Sequence, residues 1–451
     1  MSDSKGDQIS TTANAIGPIK LNPFQQVMAL WEEAEPYNAG AVFQLRGRAN
    51  FEALQGAIQE SCQEAGLGKL LLDRKRRSYE YKPIETIRLE AIQSGDRVLD
   101  TLGAFLTEQV KLPFPLSPHH PVKWFVIDDL RSESHFLVLV WRHFIADGVS
   151  IRLLLRRVFA RYFGTASAPP RTSLRMHPPD YGEVMKSHYR RLGYIRTLAR
   201  ACRLYGRLRY VYRLPESIDR GAGSRVLLFD TPQHFLLRLT AACRRRRVSV
   251  NDAFLTTLGA AMARITPSRK LERRRRGLAL AAAVDLRQVA PKQLSDCFGL
   301  FVGHWVTLLN DPDSGDFDAM LDEVVRQTRV EKGEKRFGGP EWDFLTVLLL
   351  RRWLGAKEDR SWYRKVYPFS AGLSYIKMRS SEFPGGRGKV LACFPIPPTG
   401  PALPLVVSPA TVDDQLKLTA VYREAALSDS QVRTLMDLFL TRLEHFSKGD
   451  D

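Results

Sequence analysis

Cysteine is scarce: Cys62, Cys202, Cys243, Cys297 and Cys393 are odd in number, widely scattered, and show no CxxC or Cys/His spacing. That pattern argues against a disulfide framework and a zinc site, so no metal is expected and a reducing cytoplasm suits the chain. Long hydrophobic runs are also missing. No stretch reaches the ~18 uninterrupted apolar residues of a membrane span, and the opening MSDSKGDQISTTANAIGP has no apolar signal core. Neither membrane insertion nor secretion is expected. No short repeat of fixed period and no low-complexity tract is present, which argues against a solenoid. Acidic residues are outnumbered, 49 against 67 Lys and Arg, giving a net charge of +18. Such an excess attracts anions, whether nucleic acid, an acidic carrier protein, a phosphorylated cofactor or an anionic membrane, and does not choose among them.

What is there belongs to an ordinary globular protein. A hydrophobic share of 44% and a charged share of 26% permit a large core. At 451 residues, one core rarely suffices, so two lobes are expected. The patterning divides the chain into a polar tail (1–19), a first lobe (20–165), a connector (166–223) and a second lobe (224–451). In the first lobe, Tyr37 to Gly47 reads as a strand, and Phe51, Leu54, Ala57 and Ile58 form one helical stripe. SHFLVLVWRH, from Ser134 to His143, is a strand covered on both faces. Ile151, Leu154, Leu155, Val158, Phe159 and Tyr162 then give a helix packed by one face.

The connector has no acidic residue between Glu183 and Glu216, where Lys186, Arg190, Arg191, Arg196, Arg200, Arg203, Arg207, Arg209 and Arg213 accumulate. Two readings stand for it: a solvated helical face, or a peripheral contact with an anionic membrane. In the second lobe, Thr231-Pro232 predicts a helix start, and Ser249 with Asp252 an acidic capping box. LALAAAVDLR, HWVTLL, GLSYIKM, VLACF, LPLVVS and QLKLTAVYR read as strands. A capped helix from Ser428, with Gln431 completing the box, closes the chain. Trp141, His304 and Trp305 are read as core.

WRHFIADGVS, residues 141 to 150, carries the chemistry. A neutral imidazole, with an ordinary pKa near 6.5, can take a proton from an attacking hydroxyl or amine. His143 at a rigid strand end would be held for such work, or would simply be a hydrogen-bonded core residue before an Asp-Gly turn. Asp147 would orient the ring or hold the turn, Gly148 would let the chain reverse, and Ser150 would cap the next helix.

RHFIADGVS resembles the HHxxxDGxS motif of the condensation-domain and CoA-dependent acyltransferase superfamily. SPHHPVKWFVIDD, SVNDAFLTTLGAAM, AAAVDLR, FGLFVGHWVTL and FSAGLSYI resemble that family's other segments, in its order, across about residues 20 to 448. The resemblance implies an α/β fold in which two chloramphenicol-acetyltransferase-like lobes form a V-shaped pseudo-dimer. It places His143 as the catalytic base in a channel through their junction, with Asp147 structural and paired to Arg287. Three positions depart from the family pattern: Arg142 replaces the first histidine, Ala283 a proline, and Ala371 the asparagine of the late strand. Arg142, Ser150, Ser370 and Ala371 are expected near the channel or substrate. The implied activity is stand-alone acyl transfer to a hydroxyl or amine. Its donor would be a thioester on CoA or on the phosphopantetheine of an acidic carrier protein, with no permanently bound cofactor. A free-standing condensation protein and a non-catalytic docking module are the alternatives. Arg273 to Arg276 would meet CoA phosphates or a carrier helix, or form a solvated loop. No nucleic-acid module accompanies the charge, and a cytoplasmic monomer, peripheral at the membrane if the connector binds there, is expected.

Overall fold

The computed structural model describes residues 16–449 apart from 96, 130, 165–173, 177–192, 218–222, 289–293, 314, 334–364, 366 and 401. Much of the expected connector lies outside the described residues. The first half of the chain runs β1 (Ile16–Lys20), α1 (Pro23–Ala34), β2 (Asn38–Arg46), α2 (Phe51–Ala65), β3 (Lys69–Asp73), β4 (Ser78–Lys82), β5 (Leu89–Ala91), α3 (Val98–Lys111), β6 (Val122–Asp129), β7 (Ser134–Arg142) and α4 (Gly148–Tyr162). After α5 (Tyr194–Leu208), the second half runs β8 (Ser224–Asp230), α6 (Phe235–Arg245), α7 (Val250–Ile265), β9 (Leu278–Asp285), β10 (Val302–Leu309) and α8 (Phe317–Gly333). It ends with β11 (Ala371–Leu373), β12 (Ile376–Met378), β13 (Val390–Ile396), β14 (Leu405–Val412), β15 (Gln415–Arg423) and α9 (Asp429–Lys448).

These elements build two α/β lobes. The first sheet has the order β13-β2-β7-β6-β5, and a small sheet β1-β4-β3 stands beside it. The second has the order β10-β9-β11-β14-β15-β8, with β12 beside β14. All nine residues of β7 are buried, because alternate side chains enter two different cores: Leu137, Leu139 and Trp141 on one face, Phe136, Val138 and Val140 on the other. A strand covered twice has no polar alternation, which is why its sequence reads as one apolar run.

Strand pairing and helix packing both tie the lobes together. β13 comes from the second half of the chain yet pairs antiparallel with β2, Phe394 opposite Val42. The stripe Leu102, Leu106 and Val110 of α3 packs on the first sheet and also meets Val226 and Val421 of the second. Thr107 Oγ1 accepts from Val226 N at 3.0 Å.

Some local expectations fail for identifiable reasons. The helix expected to start at Thr231-Pro232 begins instead at Phe235, after His234 in the left-handed region (φ 60°). Thr231 Oγ1 donates to Leu416 O at 2.8 Å, so tertiary pairing has taken the capping group. Residues 16–19 of the expected polar tail belong to β1, which pairs with β4. Helix α1 was not anticipated, although Asn22 and Gln25 form a reciprocal capping box ahead of Pro23. No helix among the described residues is long and apolar enough to cross a membrane.

Candidate active site

Strand β7 ends at Arg142, and His143 opens a single 3-10 turn, His143–Ile145. Besides the turn's own bond from Ala146 N to His143 O (3.3 Å), Trp141 Nε1 donates to Ala146 O (2.9 Å), Gln25 Nε2 to Phe144 O (2.7 Å) and His143 N to Tyr37 O (3.3 Å). The backbone that carries the imidazole is therefore anchored to both neighbouring elements, α1 and the start of β2. The ring lies against Tyr37, centroids 5.9 Å apart.

Helix α4 follows at once, with Asp147 rather than Ser150 as its N-cap. Asp147 Oδ1 accepts from Ser150 N at 2.8 Å, and Ser150 lies inside the helix. The reason is that the Ser150 hydroxyl is committed elsewhere: Oγ donates to Gly299 O (2.7 Å) and accepts from Gly299 N (3.0 Å). Asp147 Oδ2 accepts from Arg287 Nη1 (2.8 Å) and from Phe301 N (2.7 Å). Arg287 also donates to Asp285 Oδ1 (3.1 Å), Ser150 Oγ (2.7 Å) and Cys297 O (3.1 Å), and its guanidinium lies 4.4 Å from the Phe301 ring centroid. One guanidinium thus pins the start of α4, the end of β9 and the loop before β10. Geometry of this quality is what a buried ion pair needs to offset its desolvation.

Electrostatics follow from this packing. Burial pushes the Asp147 carboxyl up, but Arg287 and the Ser150 and Phe301 N–H donors more than reverse it, leaving it below its ordinary value. The Asp285 carboxyl is raised, chiefly by burial, against the pull of Arg287. His143 is pushed down to about 4 by burial, with the Asp147 charge and the Ala146 backbone pulling the other way. Its Nδ1 is buried without a hydrogen bond of standard geometry. The ring is enclosed by protein yet keeps a partly accessible face, because that face opens on a cavity.

This cavity, about 200 Å³, lies between the lobes and is almost wholly apolar. The first lobe contributes Trp31, Tyr37, Trp141 and His143; the second contributes Ala283, His304, Tyr367 and Phe369. Beyond Gly148 lies a second cavity of about 650 Å³ with a mixed lining, in which Arg152, Asp285, Lys332 and Lys377 supply the charge. Gly148, Ala283, Val302, Ser374 and Ile376 line both, so the apolar and the charge-bearing chambers adjoin at these residues, the neck between them.

The remaining expected site residues fall outside these linings. Arg142 is turned into a buried ion pair with Glu32 and lies 4.8 Å from the Phe144 ring centroid. Ser370 closes onto β9: its N donates to Ala279 O (2.8 Å) and its Oγ accepts from Ala279 N (3.2 Å). Ala371 is fully buried and pairs with Leu280, while the next residues, Gly372 to Ser374, line the apolar cavity. Conversely, Trp141 and His304, read from sequence as core, stand on the cavity wall. Among the described residues, no three His, Cys, Asp or Glu side chains are grouped to hold a metal ion.

A family model described as the condensation domain matches residues 17–330. The chain belongs to the condensation-domain family. Its fold is similar to that of the first condensation domain of the calcium-dependent antibiotic synthetase, with a TM-score of 0.70 and 17% identity over 96% of each chain. The condensation domain of the monacolin K polyketide synthase MokA aligns with a TM-score of 0.66 and 13% identity, over 96% of this chain and 98% of that one. Trichothecene 15-O-acetyltransferase TRI3 of Fusarium sporotrichioides aligns with a TM-score of 0.70 and 11% identity over 94% of each. No curated protein matches the chain. The two lobes are therefore of the chloramphenicol-acetyltransferase-like kind, in a fold family that holds both condensation domains and an acetyltransferase.

Proposed function

We propose that the protein is an acyltransferase that moves an acyl group from a thioester to a hydroxyl or amine. The donor is CoA or the phosphopantetheine arm of a carrier protein. One observation carries the reading: His143, held neutral by burial, faces an apolar cavity between the lobes that adjoins a cation-bearing cavity of mixed lining at Gly148. Two chambers with one base near their neck suit a reaction between two substrates entering from opposite sides.

In the proposed reaction His143 takes the proton of the acceptor O–H or N–H as its heteroatom attacks the thioester carbonyl. The tetrahedral oxyanion then collapses, the C–S bond breaks, and the imidazolium returns the proton to the departing thiolate. The ester or amide and the free thiol leave. Asp147 does not relay protons here, because both its oxygens are occupied by Ser150, Arg287 and Phe301. Its part is to hold the turn that aims the ring.

The direct test is a mass-spectrometric screen of acyl-CoA and carrier-bound acyl thioesters against hydroxyl and amine acceptors. Transfer from neither donor type would overturn the reading in favour of a docking module. Once a substrate pair is found, a hydroxyl acceptor allows a clean pH profile. Because only the neutral ring accepts a proton, kcat/KM should stay level from pH 8 to about 5 and fall with a midpoint near 4. A limb centred between 6 and 7, as for a solvated imidazole, would contradict the buried base.

The neck offers a second check. Ala283 is exposed and borders both chambers, so Ala283→Trp should fill the passage without disturbing the core. Transfer should drop by roughly 10²-fold, as expected when reacting atoms are held apart, with the unfolding midpoint unchanged. Full activity in that variant would mean that the two chambers do not serve one reaction.

A further inference from the structure

Helix α5 carries more apolar surface than the protein covers. At 100° per residue, Leu204, Tyr205 and Leu208 turn toward the body, where Leu208 is 2% exposed and the other two pack on the first-lobe core. Ile195, Ala199, Cys202 and Gly206 follow the 4-3-4 spacing of a different face, and all four are exposed, Ile195 at 85%. Arg203 and Arg207 project beside them, exposed as well. A helix face that is apolar, uncovered and flanked by arginines is unusual in water.

The surface continues past the helix. Val211 forms a parallel bridge with Gly277, Tyr212 N donates to Gly277 O at 2.9 Å, and Tyr212 Oη meets Ser268 Oγ at 2.8 Å. These contacts hold the end of α5 against the loop of Arg273, Arg274, Arg275 and Arg276. That loop repeats the composition of the helix: exposed arginines beside Leu271, which is 88% exposed, with Tyr210, 61% exposed, on the adjoining segment. Among the described residues, the acidic groups nearby are few or already engaged. Glu323 pairs with Arg326, with Arg207 also close enough to lower its carboxyl, Asp313 pairs with Arg269 and Lys270, and Glu272 is exposed in the loop.

We propose that helix α5 and the Arg273–Arg276 loop form one docking face for an anionic lipid bilayer. Arginines engage lipid headgroups while Ile195, Tyr210 and Leu271 enter the interface, the division of labour of interfacial basic helices. Nucleic acid or an acidic protein would satisfy the charges, but a lipid interface also accepts the bare apolar side chains between them. The face is joined to the active-site cavity: Tyr205 contacts Tyr367 through both hydroxyl and ring, and Tyr367 lines that cavity. Docking therefore brings the apolar chamber close to the membrane.

The experiment is sedimentation of the full chain with phosphatidylcholine vesicles, with and without phosphatidylserine, at low and high salt. Binding should require phosphatidylserine and weaken with salt. Arg203→Gln with Arg207→Gln, and separately Arg273→Gln with Arg274→Gln, should each reduce the partition coefficient about tenfold or more. Ile195→Asp should reduce it also at high salt, where charge is screened. The same loss of two charges in the β3–β4 turn, Lys75→Gln with Arg76→Gln, should leave binding nearly intact. Equal loss in that control would reduce the effect to net charge and overturn the proposal. So would equal binding to neutral vesicles, or binding to an acidic carrier protein or nucleic acid without binding to vesicles. His143→Ala should bind vesicles like the parent, so failure of the acyl-transfer reading would leave this outcome untouched.

Discussion

His143→Ala is expected to fold as the parent does and to lose about 10²–10⁴ of its acyl-transfer rate, the usual worth of a positioned general base. The turn is anchored through the His143 backbone N–H and through Trp141 and Gln25, and the imidazole adds only its interaction with the Ala146 backbone. Removing the ring therefore leaves the scaffold in place. A stability signature accompanies the loss. The folded pKa of about 4 lies below the ordinary value of 6.5, so between those pH values the unfolded chain binds a proton that the native state refuses. His143 consequently costs stability as pH falls through this window. The alanine variant escapes that cost, gaining on the parent by roughly 1.4 kcal/mol per pH unit. Transfer at the parental rate by a folded variant would remove His143 from the mechanism. Urea titrations at pH 7 and pH 5 would show whether the ring is buried neutral.

Arg287→Met should be the most damaging single change to the fold around the site. It leaves Asp147, almost fully buried, with a carboxylate that has lost its only ion-pair partner among the described residues. It also strips Ser150 Oγ and Cys297 O of a donor. Breaking a buried pair from one side costs about 3–5 kcal/mol, which a shift of the urea midpoint would register. Lysine should not rescue, because a single ammonium cannot reach four acceptors in a fixed plane. Pairing the change with Asp147→Asn should recover part of the loss, since the uncompensated charge goes with it. The sign with pH is also fixed. In the parent, Asp147 has a depressed pKa and its contribution disappears as pH falls through it. In Arg287→Met burial is opposed only by the Ser150 and Phe301 N–H donors, without the guanidinium that opposed it most, so the carboxyl rises and the variant's deficit shrinks in acid. A variant as stable as the parent at pH 7 would mean that the clamp contributes nothing net.

The elements easiest to read in the sequence were those whose signal is local. Ser249 with Asp252 and Ser428 with Gln431 form the reciprocal caps that their spacing suggests, and of the stripe at Phe51, Leu54, Ala57 and Ile58 the last three are buried while Phe51, at the helix start, is exposed. The pairing of Asp147 with Arg287 was legible only through the resemblance, since 140 residues separate the two. What stayed hidden depends on which face of an element meets empty space. Trp141 and Val140 look alike in a doubly covered strand, yet only Trp141 borders the cavity. Tyr37, Tyr367 and Phe369 line it too, and nothing in one sequence distinguishes a cavity aromatic from a core aromatic. The segment GLSYIKM, read as one strand, breaks at Ser374 and Tyr375 into β11 and β12, and that break puts Ser374 and Ile376 at the neck. Arg142 was misread for a similar reason: its partner Glu32 lies on the helix the patterning did not reveal.

The crossing of β13 into the first sheet sets an order on synthesis. As the chain emerges from the ribosome, β2 can pair with β7 early, but its other edge has no native partner until Val390–Ile396 is made. Along that edge lie unpaired peptide groups of a strand whose side chains are mostly apolar, the combination most prone to pairing with a stranger. The first lobe is thus completed nearly last, although it contains His143. A nascent chain halted before β13 would hold the site's histidine on an unfinished sheet, dependent on chaperones to keep the edge from the wrong strand.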